Sequence, residues 1–463
     1  DSYSGLNVSN KIVLVLRYAP ENVEPKRRQE LNRYAALRYK AMMARERGAI
    51  GLLIVTGPNS PNPGELAKMA SDGSLSGSGI PAVTVGTNAA EILLASQGRS
   101  LSVLQGALDI ENPHAEGAVA LTNLTVSLTT AVRPIKKPDQ NVIGVIPPTG
   151  GERTYVMLGA HYDHLGRGDH NSLQHKHEEN GIHHGADDNA SGVAAVLEIA
   201  EATAAARPDG LPRRGVLFAF WGAEEQGLLG SAHFAERPPV PLSNIVAYVN
   251  FDMVGRLREN KLSLQGIGSS PEWRKIIEKR NVAAGFNLAL QEDPYLPTDV
   301  NSFYPKGVPV LSFFSGSHED YHRPTDTADK INYEGLQRIA QFARNIASEL
   351  MDPAFKPTYA KVERSAAGGG GSRDGLRAYL GTIPDYATEV KGVKLTGARG
   401  GSPADKAGLT SGDIIVEFAG QKIENIYDYT YALEAVKIGV PVEVTVERGG
   451  RRLKISVTPE ARK

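Results

Sequence analysis

The sequence predicts an α/β fold, in which a three-layer helix–sheet–helix core with a mostly parallel central sheet is flanked by two smaller domains. The apolar runs of the central region are continuous rather than alternating, which is typical of strands buried on both faces of a sheet. Helical patterns separate these runs, as expected where helices cover a parallel sheet. The chain has 463 residues, too many for one ordinary domain, so we expect two or three domains.

The first region, residues 1–118, shows the same alternation on a smaller scale. Its strand-like segments are KIVLVLR, GAIGLLIVTG and IPAVTVG, and a helical pattern lies between the first two, from about Arg27 to Arg47. We therefore predict a small α/β domain. The chain opens abruptly on DSYSGLNVSN, so we expect this domain to be trimmed at its N-terminus.

The central region, residues 119–352, contains the runs that predict the core. These runs are TYVMLGAH, GVLFAFWGAEE, IVAYVNFDM and VPVLSFFSG. The helical patterns beside them include ASGVAAVLEIAEATAAA and YEGLQRIAQFARNIASELM. Strands and helices that alternate in this way predict the three layers of the core.

The C-terminal part divides into a linker and a third domain. Residues 353–375 are rich in proline and then in glycine, a composition typical of linkers. Residues 376–463 combine short strands, glycine turns and one or two helical segments. We predict a small β-rich domain there.

The composition excludes several classes of function. A formal net charge of −1 offers no electrostatic argument for binding nucleic acid or an anionic membrane. The chain has no cysteine, which excludes disulfides, thiol catalysis and a zinc site built from thiolates. It also lacks an apolar run of about 18 residues, so we expect no membrane-spanning segment.

Side chains that bind metals follow the apolar runs of the central region. They are His161 and Asp163, Glu224 and Glu225, Asp252, and His318 and His322. The carboxyl ends of parallel strands meet at one edge of a sheet, where open α/β folds place their sites. The stretch GADDNASG adds the adjacent Asp187 and Asp188 at the start of a helix, and buried carboxylates of this kind are costly unless a cation neutralises them.

This donor set predicts a metal centre. Histidine and carboxylate ligands without thiolates indicate zinc or a related divalent ion, and so many carboxylates favour two ions that share a bridging one. Adjacent residues on an extended segment face opposite ways, so of Glu224 and Glu225 one can bind metal while the other takes a proton from water. That division of labour is what hydrolysis needs.

The motifs GAHYDH, GADDNASG, WGAEEQGLLGS, NFDMVGR and HEDYHRPTDT resemble those of the co-catalytic di-zinc aminopeptidase family, in the family's order. The family also includes glutamate carboxypeptidases and glutaminyl cyclases. The resemblance implies a zinc exopeptidase core that holds two Zn²⁺ ions. The metal ligands that it implies are His161, Asp188, Glu225, Asp252 and His322.

The resemblance also implies individual roles. Asp188 would bridge the two ions, and the peptide bond after it would be cis. Glu224 would be the general base, Asp163 would orient His161, and Tyr321 would stabilise the tetrahedral intermediate.

Other polar residues near the motifs have open roles. Asp187 is equally compatible with supporting a ligand and with capping a helix, and His318 with substrate contact and with loop stabilisation. The histidine-rich segment 170–184 is interpreted as a solvated loop, with a third metal site as the alternative. We predict structural roles for His164, and hydrogen bonding for Asp326.

Both flanking domains have resemblances of their own. Residues 1–118 are similar to protease-associated domains, for which lid, substrate-selection and protein-contact roles all stay open. Residues 376–463 resemble a bacterial PDZ domain, which binds a peptide C-terminus by β-augmentation; the alternative is a packing module whose groove is filled internally. The loop that would hold the peptide carboxylate comprises Tyr379, Leu380, Gly381 and Thr382.

We therefore predict a zinc-dependent aminopeptidase that acts on peptides with a free N-terminus. The alternatives are a glutaminyl cyclase, a carboxypeptidase for acidic dipeptides, and a non-enzymatic scaffold built on the protease-associated and PDZ domains. Family members with these domains are usually exported, so the resemblance implies a bacterial periplasmic or secreted location.

Overall fold

The computed structural model describes most of the chain. The residues that it does not describe are 1, 24, 33, 61, 68–77, 112–118, 134–135, 169–170, 175–177, 179–180, 207–210, 364–377, 386–389 and 462–463. The predicted boundary at 118 and most of the predicted linker therefore lie outside the described residues.

The first region contains a three-stranded parallel sheet with helices beside it. The strands, in sheet order, are β1 (Ile12–Leu16), β2 (Gly51–Val55) and β3 (Ala82–Val85). The helices are α1 (Pro25–Asn32), α2 (Leu37–Glu46), α3 (Thr87–Ala95) and α4 (Leu101–Asp109). Every residue of β2 is buried, because α2 packs against one of its faces and α3 and α4 pack near the other. This agrees with the α/β architecture predicted here.

The central region forms a seven-stranded sheet. Its strands are β4 (Val142–Ile146), β5 (Tyr155–His161), β6 (Gly215–Trp221), β7 (Ile245–Phe251), β8 (Lys261–Gln265), β9 (Asn287–Gln291) and β10 (Val310–Phe314). They lie in the order β4-β6-β5-β7-β10-β8-β9. The four inner strands β6, β5, β7 and β10 are parallel, whereas β4 pairs with β6 and β8 with β10 in antiparallel fashion.

Helices cover both faces of this sheet. They are α5 (Gly192–Ala204), α6 (Leu229–Glu236), α7 (Trp273–Ala284) and α8 (Tyr333–Leu350). Side chains of α5, α7 and α8 share one buried cluster with Val156 and Leu158 of β5, while α6 and residues 300–308 share another with Met157. Because successive strand residues face opposite sides, the continuous apolar runs fill both layers. The predicted helix–sheet–helix core is confirmed.

The last region is antiparallel and rich in β structure. Its elements are β11 (Ala378–Tyr379), β12 (Thr382–Pro384), β13 (Val393–Ala398), α9 (Pro403–Lys406), β14 (Ile414–Phe418), β15 (Gln421–Lys422), α10 (Ile426–Ala435), β16 (Val442–Arg448), β17 (Arg451–Val457) and β18 (Glu460–Ala461). The main sheet runs β12-β13-β14-β16-β17, and Leu395, Ile415, Phe418 and Val444 lie in its own buried core. The predicted small β-rich domain is therefore confirmed as a fold.

The sequence predicts no membrane-spanning segment, and the helices of the structure can be compared with that prediction. Among those that the structure describes, none combines the length and the apolar character needed to cross a bilayer.

Candidate metal centre

The parallel inner strands bring the predicted ligands to one edge of the central sheet. His161 is the last residue of β5, Asp252 follows the end of β7 directly, and Glu225 follows β6 after a short turn. His322 lies in the segment after β10. Since β5, β6, β7 and β10 run in the same direction, the ends of all four face the same side.

Asp188 reaches this edge from the turn that precedes α5. Residues Ala186–Ser191 form a wide helical turn in which Asp188 itself departs from helical geometry, and the Asp188–Asn189 peptide bond is cis. The Asn189 amide nitrogen donates to the Phe251 carbonyl oxygen at 2.9 Å, and its Oδ1 accepts from the backbone N–H of Met253 at 3.3 Å. Asn189 therefore ties this turn to the end of β7, beside Asp252.

The five predicted ligands form two groups that share Asp188. In one group, His161 Nε2 lies 3.2 Å from Asp188 Oδ1 and 3.5 Å from Asp252 Oδ1. In the other, His322 Nε2 lies 3.3 Å from Asp188 Oδ2 and 3.2 Å from Glu225 Oε2. The two oxygens of Asp188 thus face different groups, which is the arrangement that a bridging carboxylate needs.

These distances fit zinc. Zinc holds histidine nitrogen and carboxylate oxygen at about 2.0–2.2 Å, so two ligands of a tetrahedral ion lie roughly 3.3–3.6 Å apart. The four nitrogen–oxygen separations, 3.2 to 3.5 Å, lie close to that range. His161, Asp188 and Asp252 also qualify together as a group able to hold a metal ion.

The tautomers of the two histidines fit as well. His161 Nδ1 lies 3.1 Å from the carbonyl oxygen of Asp163, and His322 Nδ1 lies 2.9 Å from that of Asn171. A carbonyl oxygen can only accept, so each Nδ1 carries the proton. Each Nε2 faces the carboxylates, and once it loses its own proton it offers the lone pair that metal-binding histidines require.

The charge of the cluster also calls for cations. Burial raises the pKa of Asp252, although the contact with His161 lowers it in part. Burial likewise acts to raise the pKa of Asp188, but the contacts with His161 and His322 outweigh it and hold the pKa well below its usual range. Several buried carboxylates around two histidines are costly unless cations neutralise them.

Glu224, the predicted general base, adjoins both groups. Burial raises its pKa well above the usual range; Asp299, Asp252 and Glu225 add to this effect, and His161 opposes it. A carboxyl group with a raised pKa can accept a proton near neutral pH, which suits a general base.

The carboxylate of Asp163 has a different main partner from the predicted one. Its Oδ1 accepts from the backbone N–H of Glu224 at 2.9 Å, and its Oδ2 accepts from that of Glu225 at 3.2 Å. The distance from Oδ1 to His161 Nδ1 is 3.8 Å, too long for a hydrogen bond. Asp163 thus contacts His161 through its carbonyl oxygen, while its carboxylate fixes the backbone of the two glutamates.

Tyr321 lies beside the second group. Its ring stacks on that of His322, with centroids 3.8 Å apart and planes inclined by 22°. This contact brings Tyr321 to the edge of the metal centre, and its role toward a tetrahedral intermediate stays a prediction.

The backbone adopts left-handed conformations at several non-glycine residues of the site. The φ angles are 53° at Ala223, 54° at Met253 and 56° at His322. Such conformations are uncommon for these residue types and cluster at functional sites. Here one lies at a candidate ligand, one directly follows Asp252, and one directly precedes Glu224.

The structure gives partners to Asp187 and His318, whose roles the sequence leaves open. His318 Nε2 lies 3.0 Å from Asp187 Oδ2, and both side chains are buried. Asp187 Oδ1 accepts from Gly255 N at 2.6 Å and from Ser191 Oγ at 3.0 Å. Asp187 therefore contacts His318 and also the backbone of Gly255, three residues after Asp252.

Part of the histidine-rich segment can also be placed. His170, His175 and His177 lie outside the described residues. His183 is buried, and its Nε2 hydrogen bonds with Ser172 Oγ at 2.8 Å. Among the described residues of this segment, no metal-binding group is found.

The predicted carboxylate loop connects β11 to β12. It comprises Tyr379, Leu380, Gly381 and Thr382. The φ angle of Gly381 is 77°, and a side chain there would meet Ser402 Oγ at 2.6 Å. Thr382 Oγ1 lies 2.7 Å from the Tyr429 hydroxyl, which joins β12 to α10. Peptide binding by this loop stays a prediction.

One arginine connects this loop to the loop beside the metal centre. Arg399 donates its backbone N–H to the Gly381 carbonyl oxygen at 2.7 Å, and its Nη2 donates to the Gln174 carbonyl oxygen at 2.6 Å. The neighbouring Leu173 N–H donates to the His322 carbonyl oxygen at 2.9 Å. Arg399 therefore links the two loops, through its backbone on one side and its guanidinium group on the other.

Comparison with known proteins identifies the central region. Residues 141–347 match peptidase family M28. This part of the chain belongs to that family. All five candidate ligands lie within the M28 region, and the predicted relationship to co-catalytic zinc aminopeptidases is confirmed. Residues 379–458 match the PDZ domain, which confirms the assignment of the last region.

Several relatives of the M28 region are named aminopeptidases. One from Pseudomonas aeruginosa (strain UCBPP-PA14) is 33% identical over 224 residues, which is 44% of this chain and 38% of that protein. The probable lipoprotein aminopeptidase LpqL of Mycobacterium tuberculosis is 31% identical over 249 residues, 46% of this chain and 45% of that protein. This chain thus spans less than half the length of these two relatives.

A solved structure is also similar to this chain. The aminopeptidase from Aneurinibacillus sp. strain AM-1 is 22% identical, with a TM-score of 0.43, over 78% of this chain and 74% of that chain.

Asp326 supports the turn that carries Asp188. Its Oδ2 accepts from the backbone N–H groups of Asp187 at 2.8 Å and of Asp188 at 3.1 Å, while its Oδ1 pairs with Arg256 at 3.2 Å. We expect Asp326→Ala to lower the free energy of unfolding by about 1–3 kcal/mol for each buried donor left unpaired.

Urea unfolding of the metal-free chain measures this effect. Asp329→Ala is the control, because Asp329 lies in the same segment but is exposed, so its removal should change stability by less than about 0.5 kcal/mol. Equal stability of the two variants would contradict the role assigned to Asp326.

Proposed function

We propose that this chain is a metal-dependent aminopeptidase that holds two zinc ions through His161, Asp188, Glu225, Asp252 and His322. The observation that carries the proposal is the shared carboxylate: Asp188 directs one oxygen at His161 and the other at His322, each at the spacing of zinc ligands. Glu224, whose pKa is raised by burial, interacts electrostatically with His161, Asp252 and Glu225 and would complete the set needed for hydrolysis.

The proposed chemistry assigns a task to each residue. When bound, the zinc ions supply a water of lowered pKa and polarise the scissile carbonyl group. Glu224 accepts the proton of the attacking water and then delivers it to the leaving amine. Asp163 keeps Glu224 and Glu225 in place through their backbone N–H groups. Tyr321 donates a hydrogen bond from its hydroxyl group to the carbonyl oxygen, which becomes negative as the carbonyl carbon is attacked.

The aminopeptidase reaction is favoured over the other reactions of the family by two kinds of support. Relatives at 33% and 31% identity are named aminopeptidases. The acidic surroundings of the site, with Asp299 beside the ligand carboxylates and Glu224, suit a substrate's α-ammonium group better than its carboxylate.

The flanking domains have proposed roles beside catalysis. We assign the first region to the protease-associated type, with residues 1–118, and we assign peptide binding to the loop Tyr379–Thr382 of the PDZ domain. An exported location follows from the family resemblance, and one relative is named a probable lipoprotein aminopeptidase.

One peptide in two forms tests the activity. The zinc-loaded chain is incubated with the peptide carrying a free or an acetylated N-terminus, and the products are followed by mass spectrometry. Stepwise loss of single N-terminal residues from the free form only is the expected result. Trimming from the C-terminus, or loss of ammonia from an N-terminal glutamine, would replace the proposal by a carboxypeptidase or a glutaminyl cyclase. No change with zinc bound would favour the scaffold.

A further inference from the structure

His164 lies beside the second ligand group although the sequence predicts only a structural role for it. Its Nδ1 is 2.8 Å from Glu225 Oε1, and its side chain is 90% buried, with a relative exposure of 10%. Glu225 is the ligand whose other oxygen, Oε2, lies 3.2 Å from His322 Nε2. His164 therefore lies at hydrogen-bond distance from Oε1, the oxygen of Glu225 that does not face His322.

The backbone groups of Glu225 also have hydrogen-bond partners. Its backbone N–H donates to Asp163 Oδ2 at 3.2 Å, and its carbonyl oxygen accepts from Asn171 Nδ2 at 3.2 Å. With Oε1 on His164 and Oε2 directed at His322, every polar atom of this residue has an assigned neighbour. The side chain is therefore kept in one orientation.

The distances from His164 Nδ1 to its neighbours distinguish two possible roles, a zinc ligand and a hydrogen-bond partner of Glu225. His164, Asp188 and Glu225 could together hold a metal ion by type and proximity. As a fellow ligand of one zinc ion, however, Nδ1 would lie roughly 3.3–3.6 Å from the ligand oxygens. The observed separations, 2.8 Å from Glu225 Oε1 and 4.0 Å from Asp188 Oδ2, fall on either side of that range. The shorter one is a hydrogen-bond distance.

The direction of this hydrogen bond follows from the other ring nitrogen. Among the described residues, His164 Nε2 is a buried atom without a hydrogen-bond partner. An N–H group left unpaired in the interior is rarer and more costly than an unused lone pair. The proton therefore belongs on Nδ1, which donates to Glu225 Oε1.

The neighbouring backbone leaves little freedom for the imidazole. A side chain added at Gly185 would meet His164 Cδ2 at 2.7 Å, and the φ angle of Gly185 is 62°, a left-handed value that suits glycine. On the other side, the rings of His164 and His322 lie 5.8 Å apart in an edge arrangement. Glycine at position 185 thus permits the close approach that places Nδ1 against Glu225.

We propose that His164 is a positioning residue, which donates a hydrogen bond to Glu225 Oε1 and so restricts this glutamate to binding metal through Oε2 alone. The inference rests on the proposed metal centre and deepens it. Restricting Glu225 to one oxygen keeps the coordination number of that ion low and leaves a position open for water or substrate, as catalytic zinc sites require.

Metal binding by three variants of the full chain tests this role. His164→Leu removes the donor, and His164→Asn restores an N–H close to the place of Nδ1. His183→Leu is the control, because it removes another buried histidine, whose ring centroid lies 6.4 Å from that of His164 and whose Nε2 bonds to Ser172. Zinc affinities come from competition with a chelator, and the visible absorption of bound Co²⁺ reports the coordination number.

In His164→Leu, one of the two zinc affinities is expected to fall by about 10–100-fold, and the cobalt absorption should weaken as Glu225 binds through both oxygens. His164→Asn and His183→Leu should retain both wild-type properties. Unchanged affinity and spectrum in His164→Leu would overturn the proposal. Failure of His164→Asn to restore them would overturn it in favour of direct ligation, and an equal loss in His183→Leu would reduce it to packing. Wild-type protein that binds no zinc would instead refute the proposed function itself.

Discussion

Glu224→Gln protein is expected to bind zinc like the wild type and to lose most of its peptidase activity, with kcat lowered about 10²–10⁴-fold. Glutamine keeps the size of the side chain but cannot accept the proton of water. Glu224 is not one of the five proposed ligands, and its backbone N–H bond to Asp163 survives the substitution. When both are measured on the same preparation, zinc content should therefore stay at the wild-type level while kcat falls.

The neighbouring glutamate is the matched control. Glu225→Gln changes the same functional group one residue further on, but in a side chain that lies 3.2 Å from His322 Nε2 and accepts from His164. This variant should lose zinc affinity together with activity. If Glu224→Gln lost zinc instead, or kept its activity, the general base would have to be assigned to another residue.

The grouping of the candidate ligands was predictable because of where the strands end. The apolar runs that terminate at His161, Glu225 and Asp252 are strands buried on both faces, and parallel strands bring their carboxyl ends to one edge. Residue type and position along the strand were thus enough to place these side chains together. No such argument applies to a residue whose position depends on how a loop folds.

His164 is a residue whose role could not be predicted from the sequence. It lies three positions after His161, past the end of β5, where neither strand nor helix periodicity applies. The same holds for Asp326, which reaches the turn at Asp188 from the segment after β10. The sequence indicated that Asp163 is an acidic residue near the site, but it could not show which group its carboxylate binds. A carboxylate accepts equally well from an imidazole or from backbone N–H groups. Only the folded loops distinguish these partners.

The substitution with the largest expected effect on metal binding is Asp188→Ala. Asp188 faces both groups, with Oδ1 3.2 Å from His161 Nε2 and Oδ2 3.3 Å from His322 Nε2. Its removal takes a ligand from each ion, so the affinity of both sites should fall by more than the roughly 10–100-fold typical of residues that only orient a ligand. Zinc content after dialysis should drop from two equivalents toward none, and activity with it.

Thermal unfolding in chelator and in zinc separates loss of metal from loss of fold. Zinc at 100 times its Kd stabilises the native state by about 2.7 kcal/mol per site, so wild-type protein should melt at a higher temperature in zinc, whereas Asp188→Ala should not respond. Asp187→Asn is the control, because Asp187 adjoins Asp188 but contacts His318 and the backbone of Gly255 instead of either ligand group. It should keep the response to zinc even if its metal-free form is less stable. A response that persisted in Asp188→Ala would mean that the two groups bind metal independently, without a shared carboxylate.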